Sequence, residues 1–165
     1  MRSETPAVLD VSPSYGERRL DLEKFLPYRL SVLTNRVSNA IARQYSERFD
    51  LSIPEWRVMA VLGGTPGLSA SEVASRTEMD KVQVSRAVAG LMRNRRLQRE
   101  TDAADGRITR LSLTPRGKAI YQQIAPLALH LEELFLDALT PEERASLDRL
   151  MTRLARQSKL LGAGG

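Results

Sequence analysis

The sequence predicts a mainly α-helical fold carrying one small β-hairpin, and three features of the chain predict it. Apolar residues recur every three or four positions along most of its length, the period of amphipathic helices. One stretch, DAADGRITRLSLTPRG from Asp102 to Gly117, changes to the alternation of a half-buried strand after an Asp-Gly pair. Two adjacent segments, LSASEVASRTEM and DKVQVSRAVAGLMRNRRL, read as short capped helices joined by a tight connection.

Taken in order, residues 1–18 contain Pro6, Pro13 and Gly16 with no sustained period and are expected to form a flexible leader. From Leu22 the apolar positions Leu26, Leu30, Leu33, Val37, Ile41 and Tyr45 mark a long amphipathic helix, with Pro27 in its first turn. Continued to Phe49 it spans about 35 Å, more than a compact domain of this size needs, which suggests an oligomer arm. In LSIPEWRVMAVLGGTPG, Pro54 suits a helix start and Gly63, Gly64, Pro66 and Gly67 its end. Ser69 with Glu72 three residues on is a capping-box order. Asp80 caps the next helix, whose inward stripe is Val84, Val88 and Leu91. Asn94 is the residue of the following RNRR run that tolerates left-handed backbone.

Leu97–Thr101 pairs with RITRLSLT as an antiparallel hairpin, Leu111 and Leu113 leaning on the helices. Asp105-Gly106 forms its tip, Gly106 accepting positive φ. Thr114-Pro115 opens a helix through Ile120, Ile124, Leu127 and Leu131, kinked at Pro126. Thr140, Pro141 and Glu143 start a last helix that buries Leu147, Leu150, Met151 and Leu154.

With 165 residues, 42% hydrophobic and 27% charged, the chain has the makeup of one globular domain with an appended arm. No apolar run approaches the roughly 20 residues of a membrane span, and no signal-peptide order opens the chain, so a cytoplasmic protein that makes no membrane contact is expected. The absence of cysteine excludes disulfides and thiol redox sensing, and the single histidine, His130, argues against a histidine triad or multi-histidine metal site. With no phosphate-cradling glycine loop and no nucleophile beside a base, catalysis is not expected, nor is a metal or cofactor. Glu133 and Asp137 share a helix face and read as a solvated pair.

The net charge is +5, and its location is informative. Between Asp80 and Lys118 stand ten basic residues against four acidic ones, so the other 126 residues sum to −1. A solvated helix face would explain many such runs. Here the run coincides with a helix-turn-helix followed by a hairpin, a winged helix-turn-helix, whose second helix enters the major groove of double-stranded DNA while Arg107 at the hairpin tip reaches the minor groove. Gln83, Ser85 and Arg86 are placed to read base edges; Arg93, Arg95 and Lys118 to hold phosphates; Lys81 lies beside them. Val82 either touches a thymine methyl or belongs to the core. Asp102 or Asp105 can aim Arg107 or Arg110 through a carboxylate-guanidinium bond.

This order of long first helix, LSASEVASRTEMDKVQVSRAVAGL, then Asp105, Arg107, Leu111, Leu113, Thr114 and Gly117 in the wing, and two closing helices resembles the MarR family of transcriptional regulators from about Leu22 to Leu154. The resemblance implies a homodimer whose first and last two helices intertwine, presenting two recognition helices and two wings to a pseudo-palindromic operator. The division is then a leader (1–18), a first dimerisation helix (19–50), the winged helix-turn-helix (51–114, wing about 97–114), C-terminal dimerisation helices (115–160) and a disordered tail (161–165).

The resemblance also implies an effector pocket where the arm meets the DNA-binding domain. Trp56 is a packing residue or stacks on an aromatic effector there. Arg29, Arg36 and Arg43 recur every seven residues and are solvated or bind an anionic effector, an aromatic carboxylate or an aryl-coenzyme A thioester. His130 is a surface or core residue or an effector contact. A repressor relieved by such an effector is expected, the alternative being a constitutive or architectural DNA-binding protein.

Overall fold

The structure is a computed structural model and describes residues 19–162. The expected leader 1–18 lies outside the described residues, as do the last three of the expected tail; Leu161 and Gly162 still belong to the last helix. The elements in order are α1 (Leu26–Ala42), α2 (Ser46–Phe49), α3 (Ile53–Gly64), α4 (Ala70–Thr77), α5 (Lys81–Arg93), β1 (Leu97–Thr101), β2 (Thr109–Leu113), α6 (Pro115–Leu136) and α7 (Pro141–Gly162). They fall into two bodies, one of residues 30–132 and one formed by the described residues up to 29 with those from 133 onward.

The core lies in the first body. Val58, Met59 and Leu62 of α3, Val73 of α4, and Val84, Val88 and Leu91 of α5 meet there, all nearly inaccessible to solvent. The hairpin closes the core from one side: β1 and β2 pair antiparallel with Leu97 opposite Leu113, and the alternation of β2 turns Leu111 and Leu113 inward. An isolated bridge, Leu111 N–H to the Leu68 carbonyl at 2.8 Å with Gly67 N–H to the Leu111 carbonyl at 2.9 Å, adds the segment just before the α4 cap to the edge of β2.

Three helix starts follow the capping logic of the sequence. Ser52 with Glu55 and Ser69 with Glu72 form complete capping boxes, and the Asp80 side chain accepts the Gln83 N–H at 2.7 Å. Helix α3 ends at Gly64, within the glycine run expected to end it, and at Gly63, in its last turn, a Cβ would stand 2.6 Å from the Tyr121 ring, so its bareness serves packing.

The single long helix expected from Pro27 to Phe49 is two helices. After Ala42 the bonds shorten to Gln44 N–H to Ile41 and Tyr45 N–H to Ala42, both three residues back, and the chain swings before α2. The swing carries Tyr45 into the core, 1% exposed, with its ring 5.6 Å from that of Trp56. Burial pushes its phenol up to about 12.

At the end of α5 the left-handed residue is Arg95 (φ 55°), not Asn94, whose φ is −85°. The N–H of Arg95 bonds the Met92 carbonyl and that of Arg96 the Leu91 carbonyl, the paired bonds of a Schellman ending, which put the unusual φ one residue past the cap. An L-residue is costly in that conformation, so Arg95→Gly is expected to raise stability by about 0.5 to 1 kcal/mol, readable as a higher urea midpoint at unchanged slope.

In the second body, Thr140 and Glu143 cap α7 reciprocally, and Arg144 pairs with Asp137 at 3.0 Å across the turn between α6 and α7. Asp137 therefore has a structural partner. Leu147, Leu150, Met151 and Leu154, expected to be buried, are 40–54% exposed within this chain. In the first body, helix α6 continues through Pro126, whose missing N–H leaves the Gln122 carbonyl without its intrahelical donor. Among the described residues no helix is long and apolar enough to cross a membrane.

Candidate nucleic-acid interface

Helix α5 is held by its apolar stripe, and the same periodicity forces its other side outward. Lys81, Val82, Gln83, Ser85, Arg86 and Arg93 are all exposed. Val82 is 58% exposed, which removes the core reading for it. The connection from α4 turns at Glu78 in left-handed backbone (φ 52°), delivering α5 with its N-terminal end open to solvent. Helix α3 buttresses it from behind: Gly90 faces Glu55 so closely that a Cβ would overlap the carboxylate.

The wing tip is not the two-residue turn expected at Asp105-Gly106. Seven residues, 102–108, join the strands, and Gly106 does not have positive φ. The loop is instead built around Asp102, whose Oδ1 accepts the N–H groups of Ala104 at 2.8 Å and Asp105 at 3.0 Å. Its backbone closes through Asp102 N–H to Ile108 and Ile108 N–H to Asp105, both 2.9 Å. Asp105 accepts the Arg107 N–H at 3.0 Å, which fixes the Arg107 backbone and leaves its side chain exposed at the tip.

Arg110 is committed to the wing itself. Its Nε donates to Asp102 Oδ2 at 2.7 Å, and one terminal nitrogen reaches Glu72 Oε2 at 3.1 Å and the Gly67 carbonyl at 3.3 Å. One guanidinium thus ties the loop of the wing to the first turn of α4. The Arg110 bond, followed by the two backbone N–H groups, holds the Asp102 carboxyl down at about 2. Glu72 is lowered too, first by the backbone and hydroxyl of Ser69 and less by Arg110. Arg110 is raised above its ordinary value by Asp102.

This network has a pH signature with a definite sign. A depressed carboxyl contributes stability in full above its unfolded value near 4 and loses it as pH falls toward 2. Protease nicking of the 102–108 loop should therefore rise as pH is lowered from about 4 toward 2, and Asp102→Asn should show the fast nicking at every pH.

Between the wing and α4 lies an open cleft of about 480 Å³ lined by Ser69, Ser71, Glu72, Arg107 and Arg110. The sequence predicts Arg107 at the exposed tip but not the meeting of Glu72 and Arg110, because a contact 38 residues apart leaves no periodic trace. Arg96 is one of the ten basic residues between Asp80 and Lys118, but it does not face solvent. Arg96 is 5% exposed; its two terminal nitrogens donate to the Asp50 carbonyl, at 2.9 Å, and to the Phe49 carbonyl, tying the end of α2 to the start of β1. Its Nε has no partner.

Arg29 and Arg36 are exposed on α1, whereas Arg43 falls just past its end, because α1 stops at Ala42, and so leaves the seven-residue stripe. Trp56 is half-buried between Tyr45 and Tyr121, stacked on the latter at 6.0 Å with an interplanar angle of 26°. His130 lies exposed on α6.

Comparison with known proteins agrees with this geometry. The MarR family profile matches residues 49–108, which hold α3 to α5 and the first strand and loop of the wing. The transcriptional regulator HosA of Escherichia coli O157:H7 is 27% identical over 113 residues, covering 68% of this chain and 84% of that protein. The crystal structure of a MarR-family transcriptional regulator from Silicibacter pomeroyi superposes with a TM-score of 0.71 at 26% identity, over 83% of this chain and 94% of that one. The PcaV regulator of Streptomyces coelicolor, solved with its natural ligand, shares the fold with a TM-score of 0.67 at 24% identity, over 86% and 99% of the two chains. All three are regulators of transcription rather than enzymes. The cationic face of α5, the wing beside it and these likenesses agree: residues 49–108 match the MarR family model, and the chain shares the winged helix-turn-helix fold of MarR-family transcriptional regulators.

Proposed function

We propose that the protein acts as a homodimeric repressor of a pseudo-palindromic operator, released by a small anionic aromatic effector. The observation that carries the DNA half of this reading is the exposed row Lys81, Gln83, Ser85 and Arg86 on α5, standing on a core-anchored helix beside a wing that carries Arg107. In it, Gln83 and Arg86 read base edges, Arg93 and Arg95 hold phosphates, and Arg107 enters the minor groove. Arg110 and Asp105 serve by shaping the wing.

The dimer is supported by apolar surface that this chain leaves uncovered. Leu147, Leu150, Met151 and Leu154 of α7 and Leu134 and Phe135 of α6 are each at least 40% exposed, more than a soluble monomer keeps in one body. The reading is tested by fluorescence anisotropy on duplexes selected from the host genome. Wild-type protein should bind as a dimer with affinity falling steeply as salt rises. Arg86→Ala should cost about 1 to 3 kcal/mol and relax preference at one base pair, and Arg107→Ala should weaken A·T-flanked sites most. A monomer without salt-sensitive affinity for any duplex would overturn the proposal.

The effector is the finer part of the reading, supported by the exposed Arg36 on α1 and by the likeness to a regulator solved with a natural ligand. A specific observation favours the second reading, a constitutive DNA-binding protein: Trp56 already has an aromatic neighbour in both Tyr45 and Tyr121 and so is occupied in packing. Thermal shift with aromatic acids and aryl-coenzyme A thioesters separates the two, since a ligand at about 100 times its Kd adds about 2.7 kcal/mol.

A further inference from the structure

Among the described residues from 34 to 126, Val82 is the only exposed large apolar side chain; the others stand on α1, α6 or α7 or in the segment just before α1. It occupies the second position of α5. At 3.6 residues per turn, the centre of the buried stripe Val84, Ala87, Val88 and Leu91 lies almost diametrically opposite it, so Val82 crowns the ridge that faces away from the protein. Folding does not explain it. The side chain makes no core contact, and a β-branched residue is a poorer helix former than the straight-chain polar residues that suit an exposed helix.

Its neighbours say what it meets. Lys81, Gln83, Ser85 and Arg86, all exposed, surround it with cationic and hydrogen-bonding groups, so the apolar point is isolated and no larger greasy patch surrounds it. An apolar protein partner would need such a patch. A major-groove floor does not: it is polar except for the 5-methyl group of thymine, the one apolar landmark a duplex offers there. The first turn of a recognition helix is also the part that lies closest to the base edges.

We infer that Val82 selects a thymine in each half-site by packing its two methyl groups against the 5-methyl of that base, and this rests on the DNA-reading role proposed above. Val82 is then a specificity-determining residue that works by methyl contact, while Gln83 and Arg86 work by hydrogen bonds.

The test uses deoxyuridine, which pairs as thymine does and lacks only the methyl group. A bound duplex is first obtained by selection from a random pool, and each thymine is then replaced singly. Wild-type protein is expected to lose about fourfold in affinity at one thymine per half-site, the worth of one buried methyl. Val82→Ala, which loses the contact in both half-sites of the dimer, should bind the all-thymine duplex about as weakly as wild type binds a duplex with deoxyuridine at that position in both half-sites, and should no longer distinguish thymine from deoxyuridine there. Val82→Thr, which keeps one methyl, should retain part of the distinction. Because Val82 is exposed, these variants fold as wild type does, and their melting temperatures check this. If a duplex binds tightly but no deoxyuridine substitution alters affinity, or if Val82→Ala remains sensitive, the inference fails and the DNA reading stands. If no duplex is selected at all, both fail.

Discussion

Gly117→Ala is expected to destabilise the protein by about 3 kcal/mol, near the top of the range for overpacked sites and about 10 °C in melting temperature. Gly117 lies in the first turn of α6, where a Cβ would overlap the Arg96 carbonyl oxygen and stand 3.0 Å from its carbonyl carbon. That carbonyl cannot move aside. It accepts the Thr114 N–H at 3.1 Å, the Thr114 hydroxyl donates to the neighbouring Arg95 carbonyl at 2.8 Å, and the same hydroxyl oxygen accepts the Gly117 N–H at 3.1 Å. Backbone meets backbone, so neither side has a rotamer to give. The control is Gly64→Ala, where nothing lies within 4 Å and a helical alanine should gain a few tenths of a kcal/mol. Chemical denaturation of both variants decides it: equal midpoints would mean that α6 does not approach β1 as described.

Arg96→Ala should cost about as much, on the order of 3 kcal/mol, for a different reason. The substitution removes both donors to Phe49 and Asp50 at once and empties the space of a buried stem. Asp50 itself has left-handed backbone (φ 46°), so the chain there relies on an outside partner to hold its direction. Arg96→Met keeps most of the stem and separates the two contributions: it should recover the packing and still leave the carbonyls without donors. Hydrogen exchange at Leu51, just past the bend, should accelerate in both variants, and unchanged exchange would show that the guanidinium does not hold the turn.

Much of this arrangement was legible residue by residue. The stripe Val84, Val88 and Leu91, the Ser69-Glu72 box, the Asp80 cap and the inward Leu111 and Leu113 are local consequences of period and capping, and each stands where the sequence placed it. What escaped depended on distant neighbours. Tyr45 fits the helical period of α1 perfectly well; it leaves the helix because Trp56, eleven residues on, offers it a buried face. Arg96 looks like its arginine neighbours until the ends of α2 and β1 meet around it. The choice between Asn94 and Arg95 for the left-handed position was made by how far α5 runs, which propensity alone does not set to one residue. Gly106 looked like a turn glycine because the loop around Asp102 has no simple sequence signature.

The fastening of Arg110 to both Asp102 and Glu72 bears on how costly it is for the wing to engage a duplex. A loose loop of seven residues would surrender most of its conformational freedom at the moment of contact, and that loss would be subtracted from every favourable interaction it made. Here the freedom is already given up during folding, charged to a protein that has a core to draw on. If the wing reads DNA as proposed, rapid engagement and forgiving search along many wrong sites both follow, since the finger would arrive already ordered and have little to rearrange before it lets go.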